Sequence, residues 1–378
     1  MPNLRMEFVN YPVWGKTPEQ LKEYVEGTSP ETGNPFMPEI LSKLTTPLSD
    51  EDKKTGEIKQ TAGPSTYEGT EAELRQFFTD NQMTDYLPII LPTKDKVDAM
   101  LAATSHDPDE VVGTMAPTKG YFESWSYTVR TVAVNAVMAG AKPEYFPVIL
   151  AVASAGIESL SSSDNSFASF LVINGPIRDE IGMNYMYGAM GPFSQANSTI
   201  GRAWTLLSLN GGNAGKPGIN YMAVVGNPTN WVNIIVAENE NDSPWKPFSV
   251  QKGYKPDENV VSLFVGWGVL SSKNSAKVAW TKEMDLAGQM KALSDDQDWL
   301  FGATFVLSPV IANLVRDQGY DNVDKLIDYL WKPASGQDKP HFRDNRSINV
   351  LVTGTSNNLY WDYGGARYMK SVKIDDWR

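Results

Sequence analysis

The sequence predicts an α/β protein with a mixed sheet, flanking helices and a long irregular N-terminal segment. Apolar runs of strand length recur between Phe167 and Thr353. Segments with helical periodicity lie between some of these runs, which is typical of strands interleaved with helices. By contrast, residues 1–84 are rich in Pro, Gly, Thr and charge, and they predict turns.

We therefore divide the chain into an irregular N-terminal segment, residues 1–84, that wraps around the rest, and an α/β domain, residues 85–378. Within the first part, residues 71–81 predict a short amphipathic helix. Residues 86–93 are expected to be extended because Pro88 and Pro92 bar a helix there. Residues 94–103 predict the next helix.

Two apolar helices follow in the α/β domain, at 126–140 and 142–160, the first closed by Gly140 and the second started by Pro143. Some links between the later strands are too short for a crossover helix, so the sheet should be mixed. No sequence repeat stands out. The predicted strands are 167–173, 221–225, 231–237, 260–266, 304–307 and 348–353, and the predicted helices among them are 199–209, 285–293, 309–317 and 323–331.

Composition narrows the function classes. There are 33 Lys plus Arg against 45 Asp plus Glu, a net charge of -12, so phosphate backbones and anionic lipids are disfavoured as partners. The longest apolar stretch, Phe146–Ile157, is too short to span a bilayer. Residues 1–16 lack the apolar core of a secretory signal, so we expect a cytoplasmic protein without a membrane or nucleic-acid partner.

The residue inventory limits the chemistry. The chain contains no cysteine, so disulfides, thiolate nucleophiles and iron–sulfur clusters within it are excluded. Of its two histidines, His106 is expected in a turn and His341 is the better candidate for a catalytic imidazole. Neither a dinucleotide-binding nor a Walker motif is present, so no nucleotide cofactor is indicated.

The first candidate site lies between Asn174 and Arg202. This stretch leaves a predicted strand, crosses a loop with Gly182, Gly188 and Gly191, and enters a helix expected to be capped by Asn197 or Ser198. Glycines admit a ligand close to the backbone, and a helix N-terminus favours an anion. The alternative is that the glycines only make turns and the arginines are solvated. The predicted substrate-binding residues here are Asn174, Arg178, Asn197 and Arg202.

The second candidate site follows the predicted strand 231–237. If the chain stays extended there, Glu238, Glu240 and Asp242 project to one side. Three such carboxylates could ligate a divalent metal, and two could form a general acid–base pair. We assign Glu238 and Glu240 as catalytic and all three as metal ligands; an acidic solvent-facing turn is the alternative.

A buried amide and an aromatic stretch are two further features of the sequence. Asn135 lies in a buried helix, where its amide is expected to bond a neighbouring loop. Near the end of the chain, Tyr360 and Trp361 belong to an aromatic, amide-rich stretch that could stack on a substrate. Edge packing or a subunit contact in an oligomer would explain the same residues.

A further indication comes from seven stretches, 87–93, 107–113, 132–144, 173–176, 197–202, 237–240 and 243–245. Together they resemble a poorly characterised bacterial family associated with, or fused to, proteins that carry a (seleno)cysteine-Gly-Ser-Cys motif. The resemblance covers about residues 85–330, and it implies a role in catabolic metabolism without an established reaction. Because this chain lacks cysteine, a redox role would require a separate subunit.

These observations favour an enzyme or substrate-binding subunit that acts on a small organic acid or similar polar metabolite. The reaction would be acid–base or metal-assisted, of the lyase, hydratase or hydrolase type. The alternative is a non-catalytic subunit that scaffolds a thiol- or selenol-bearing partner protein.

Overall fold

The fold is described from a computed structural model. Contacts divide the chain into two compact units, Met1–Tyr67 and Glu68–Arg378. The predicted division lay at residue 84. The residues that the structure describes are 5, 7–10, 13, 15–50, 52–53, 66–115, 125–160, 168–212, 214, 228–266, 269–271, 285–295, 302–333, 339–340, 342, 345–355 and 361–378.

The first unit contains two short helices, α1 (Pro18–Glu26) and α2 (Phe36–Thr45). A capping box starts α1: the Thr17 side chain accepts a hydrogen bond from the Gln20 amide, and the Gln20 side chain accepts one from the Thr17 amide. An isolated bridge between Thr28 and Pro35 closes the turn between the helices. The described part of the N-terminal segment is thus organised by local capping and turns.

The second unit begins with α3 (Glu71–Asp80) and α4 (Lys94–Leu101), where the sequence predicted helices. A short antiparallel pair follows, β1 (Val111–Met115) and β2 (Trp125–Thr128). The sequence did not predict this pair, because the helical periodicity of the next segment begins at Ser126. The helix α5 (Val129–Ala139) starts later, capped by Thr128 and ended by Gly140 in the left-handed conformation.

The first large sheet has the order β10–β5–β3–β4, where β3 is Ala168–Asn174, β4 is Ile234–Ala237, β5 is Val260–Gly266 and β10 is Arg367–Lys373. β3 runs parallel to β4 and antiparallel to β5. The buried helices α5, α6 (Phe146–Ser154) and α8 (Gln195–Gly211) cover one face. Two one-turn helices, α7 (Ile177–Glu180) and α9 (Phe248–Gln251), follow β3 and β4.

The second sheet has the order β6–β9–β7–β8, where β6 is Val269–Ser271, β7 is Ala303–Leu307, β8 is Ile348–Val352 and β9 is Trp361–Gly364. Residues from β7 and β8 pack with α10 (Leu286–Asp295), α11 (Pro309–Asp317) and α12 (Val323–Trp331) in one cluster. The mixed sheet that the sequence predicted is therefore present as two mixed sheets. The predicted strand 221–225 lies outside the described residues.

The two sheets pack face to face. Side chains alternate along each strand, so Leu171 and Ile173 of β3 face the helices while Phe170 and Val172 face away from them. The second set shares a buried cluster with Val306 of β7 and Leu351 of β8. The result is a four-layer arrangement of helices, sheet, sheet and helices.

The two sheets share one topology. In the first sheet, β3 runs parallel to β4 and antiparallel to β5. In the second sheet, β7 runs parallel to β8 and antiparallel to β9 in the same way. A fourth strand completes each sheet. The fourth strands are exchanged: β6, two residues after β5, pairs with β9, while β10, two residues after β9, pairs with β5. The pairs β5–β6 and β9–β10 therefore form one antiparallel ribbon that crosses between the sheets. At this crossing a Cβ atom on Gly266 would lie 2.2 Å from Cα of Ala366.

Candidate functional site

A buried polar cluster lies where β3 and β4 end. Asn174 is the last residue of β3, and Glu238 directly follows β4, its amide donating to Ile173 O at 3.1 Å. The chain then turns, since the Glu240 amide bonds Glu238 O and the Asn239 amide bonds Val352 O at the end of β8. Residues 238–242 thus do not stay extended, which was the condition for their carboxylates to project to one side, because bonds to the second sheet turn the chain.

Glu238 is the deepest member of the cluster, with 1 % of its surface exposed. Its carboxyl accepts hydrogen bonds from Nδ2 of Asn174 at 2.6 Å, from the Phe248 amide at 2.7 Å and from the Val352 amide at 3.4 Å. Burial raises the pKa of Glu238 to about 7, although these hydrogen bonds act in the opposite direction. The group is therefore poised between its two protonation states near neutral pH.

Glu240 is the member nearest the surface, with 13 % of its side chain exposed. It accepts from Nδ2 of Asn174 and from the Gly175 amide, both at 2.9 Å, and it pairs with Arg178 at 3.1 Å. The Asn174 amide thus bridges the two glutamates. Gly175 is required for this approach: its φ is +90°, and a Cβ atom there would lie 2.4 Å from Glu258 O.

Arg178 is buried rather than solvated. Its Nε donates to Gly175 O at 2.9 Å, another nitrogen donates to Glu238 O, and the guanidinium lies 5.1 Å from the Tyr185 ring centre. One-turn helix α7 carries Arg178, and the side chain of Asn259, accepting from the Ile177 amide at 2.7 Å, holds that helix at the strand ends. The structure therefore brings four predicted residues together, Asn174, Arg178, Glu238 and Glu240.

Asn239 and Asn259 were not singled out from the sequence. Asn239 is fully buried, and its Nδ2 donates to Asp242 at 3.0 Å and to Gly354 O at 2.9 Å, which ties the loop to the chain after β8. The signal that could have identified Asn239 was its position between two glutamates, directly after a predicted buried strand. For Asn259, which precedes β5, the sequence carried no comparable indication.

The predicted metal ligands do not converge. Glu238, Glu240 and Asp242 each bond a different set of protein donors, as the contacts above show. Within the described residues, no group of three or more His, Cys, Asp or Glu side chains could hold a metal ion. Glu238 and Glu240 share the Asn174 amide, whereas Asp242 bonds Asn239, so the three carboxylates do not face one common point.

Arg202 and Asn197 make structural contacts away from the two glutamates. Arg202 donates to both oxygens of buried Asp85, at 2.8 and 2.9 Å, and to the carbonyls of Leu87 and Pro88. Asn197 exchanges hydrogen bonds with the backbone of Asn184 at 3.0 Å. The expected cap of α8 at Asn197 or Ser198 is wrong, because the Ser194 side chain accepts from the Asn197 amide and α8 begins at Gln195.

The glycines of the 182–194 loop accommodate a side chain of that loop. A Cβ atom at Gly188 would lie 2.5 Å from the Phe193 ring, and one at Gly191 would lie 2.7 Å from it. Phe193 nevertheless has 73 % of its surface exposed, and Tyr187 has 68 %. The loop beside the cluster thus presents two aromatic rings to solvent.

Of the remaining predicted site residues, Tyr360 and His341 lie outside the described residues, and for Trp361 only its place in β9 is described. His106 lies in a turn; its ring stacks on Trp377 at 4.6 Å and bonds Glu110. Asn135 accepts from Asn210 of α8 at 2.8 Å, so its partner is a helix where a loop was expected.

The repeated topology gives Glu238 a counterpart. Ile173 pairs with Ala237 and accepts from the Glu238 amide, while Leu307 pairs with Val352 and accepts from the Thr353 amide. Thr353 therefore occupies in the second sheet the position that Glu238 occupies in the first. Its hydroxyl donates to Ala237 O at 2.8 Å, so this strand end is completed by a neutral side chain.

Comparison with family models, with characterised proteins and with solved structures returned no match. The family resemblance of the sequence therefore stays an expectation. Among the described residues, no helix has the length and apolar character needed to cross a membrane.

Proposed function

We propose that this chain is an enzyme, or the substrate-binding subunit of one, that acts on a small polar metabolite by acid–base chemistry. The site is the cluster of Asn174, Arg178, Glu238 and Glu240 at the ends of β3 and β4. Ligand sites in α/β proteins commonly lie beyond the carboxyl ends of strands. The reaction class that suits it is elimination, hydration or hydrolysis, in which a proton is moved without a redox step.

The observation that carries the proposal is the asymmetry between the two strand ends. A fully buried carboxyl group is costly, because burial disfavours its charged form. At the equivalent position of the second sheet, Thr353 makes the junction with a neutral hydroxyl. The topology therefore does not require an acid at Glu238, and the cost of burying one supports a chemical role.

The two glutamates differ in the way an acid–base pair requires. The buried carboxyl of Glu238, with a pKa of about 7, can hold or release a proton near neutral pH. Glu240 reaches the surface, and Arg178 pairs with its carboxylate. We assign substrate contact to Glu240 and proton storage to Glu238. Asn174, which donates to both, is the positioning residue that sets their separation.

Two parts of the sequence-based hypothesis are revised in this proposal. The acid–base form is preferred to the metal-assisted form, because the Asn174 amide bridges Glu238 and Glu240 while Asp242 bonds Asn239. Asn197 and Arg202 are left out of the site, because their described bonds hold the 184–189 and 85–88 segments.

The test is a thermal-shift screen of small acids, hydroxy acids, amines and polyols, with and without Mg²⁺, on the whole chain. A ligand selective for the folded state raises its melting temperature. We expect at least one class to stabilise the wild type and to lose that effect in Glu240→Gln. The matched control is Glu144→Gln, a half-exposed glutamate paired with Lys142. Stabilisation that persists in Glu240→Gln would contradict the proposal.

A second candidate is the non-catalytic subunit that the family resemblance implies. The exposed Tyr187 and Phe193 beside the cluster favour it, because exposed aromatic rings are enriched in protein interfaces. In that case no metabolite class would stabilise the chain, whereas a Cys-Gly-Ser-Cys partner protein would co-elute with the wild type and not with Phe193→Ser.

A further inference from the structure

The arginines expected to hold an anionic substrate are both engaged by the protein. Arg178 bonds Glu240 and the carbonyls of Gly175 and Glu238. Arg202 makes a two-pronged contact with Asp85. The guanidinium fork that would recognise a carboxylate or phosphate is thus already occupied in each case.

The groups around Arg178 are predominantly acidic. Tyr185, whose ring lies against Arg178, donates its hydroxyl to Asp179 at 2.7 Å. This bond raises the pKa of Tyr185, and the charge of Asp242 acts in the same direction. We call Asp179, Tyr185, Glu240 and Asp242 the acidic rim. Among ion pairs between described residues, Arg178 is the one cation that pairs with a carboxylate of this rim.

We call Asn174 and the backbone amides of Gly175 and Phe248 the floor of the cluster. The floor offers a ligand hydrogen-bond acceptors, because its own donors already bond the glutamates. Nδ2 of Asn174 and the amides of Gly175 and Phe248 all point to the glutamates. Oδ1 of Asn174, on the same carbon as Nδ2, is buried and accepts no hydrogen bond from the described residues. A buried acceptor without a donor is uncommon and calls for an explanation.

Building on the proposed function, we infer that the acidic rim and the floor beneath it select a small organic amine, bound as its ammonium ion. The ammonium supplies the positive charge that the carboxylates lack and the N–H donors that the remaining acceptors require. Met186, an exposed residue whose sulfur lies 3.6 Å from Nδ2 of Asn239, provides a polarisable surface for such a cation. A carboxylate ligand would meet like charge and acceptors.

The experiment compares ligands of matched skeleton. Binding of putrescine against succinate, and of ethanolamine against glycolate, is measured by calorimetry and thermal shift at neutral pH and 0.15 M salt. The variants are Asp179→Asn/Asp242→Asn, both at exposed rim positions, and Asp257→Asn, an exposed aspartate away from the cluster contacts. We expect an amine to bind the wild type and Asp257→Asn equally, and the double variant at least tenfold more weakly.

Binding of an acid in preference to its amine, weakened by the double variant, would overturn the amine inference while leaving the proposed metabolite site in place. Equal loss of amine binding in Asp257→Asn would indicate attraction to the acidic surface in general and would also overturn it. If neither putrescine nor ethanolamine binds, the amine inference is also overturned. The proposed function itself fails in the metabolite screen, if no class stabilises the chain or if stabilisation persists in Glu240→Gln.

Discussion

At the scale of single residues, Glu238 is the most deeply buried carboxyl group among the described residues. In a chain without cysteine and with only two histidines, a carboxyl with a pKa near 7 is an obvious means of moving protons at neutral pH. Its hydrogen bonds from Asn174 and from the Phe248 and Val352 amides hold it in one position.

The raised pKa of Glu238 predicts a pH-dependent stability. Because the folded state binds this proton more tightly than the unfolded state, the free energy of unfolding falls as pH rises from the unfolded value of 4.5 through about 7. A shift of this size corresponds to about 3 kcal/mol. In denaturant titrations between pH 5 and 8, the wild type should lose stability relative to Glu238→Gln. Glu144→Gln should follow the wild type, and parallel profiles for all three would contradict the assignment.

At the scale of elements, α8 shows how a single glycine positions a helix. A Cβ atom at Gly201 would lie 2.0 Å from Val232 O, so α8 can approach the turn before β4 only without a side chain there. Asn233, at a φ of +55°, donates to Gly201 O at 3.0 Å and strengthens the same contact. This turn leads directly into β4, the strand that Glu238 follows.

Gly201→Ala is therefore expected to act against the usual trend. Within a helix, alanine in place of glycine generally stabilises by about 1 kcal/mol. Here the backbone contact should make the substitution destabilising by about 2 kcal/mol or more. Gly211→Ala in the same helix is the comparison, because its nearest contact is the flexible Leu207 side chain at 3.0 Å. Chemical denaturation measures both, and a stabilised Gly201→Ala would refute the packing argument.

At the scale of the whole second unit, the exchanged strands make the two sheets depend on each other. The ribbon of β5–β6 and β9–β10 contributes strands to both sheets, and the cluster containing Val172 and Leu351 lies between them. Neither sheet has its full set of strands without the other half of the chain. We therefore expect the sheets to unfold together.

Gly266→Ala tests this coupling, because its added Cβ would meet the backbone of Ala366 where the ribbon crosses. Hydrogen exchange should accelerate in β3 of the first sheet and in β7 of the second to a similar degree. Gly69→Ala is the control; its nearest atom is a flexible Glu73 oxygen at 3.3 Å, and neither strand should change. Faster exchange in β3 alone would mean that the sheets are independent.

Much of the fold was predictable from local pattern. The buried strand 260–266 and the helices 309–317 and 323–331 have the expected bounds, because continuous apolar runs and helical periodicity are encoded locally. The antiparallel pair β1–β2 was missed, since its four-residue second strand runs directly into the pattern of α5. The topological repeat was invisible because it lies in strand order and pairing.

The candidate site, like the fold, was predictable from the sequence only in part. The sequence by itself determined that carboxylates, amides and arginines would supply the polar chemistry, and it singled out Asn174, Arg178, Glu238 and Glu240 as residues at strand ends. Only the tertiary structure decided that these four meet, that Arg202 pairs with Asp85, and that Thr353 is the neutral counterpart of Glu238. The physical reason is that strand pairing and burial arise between segments far apart in the chain, so they set each side chain's partners and its pKa.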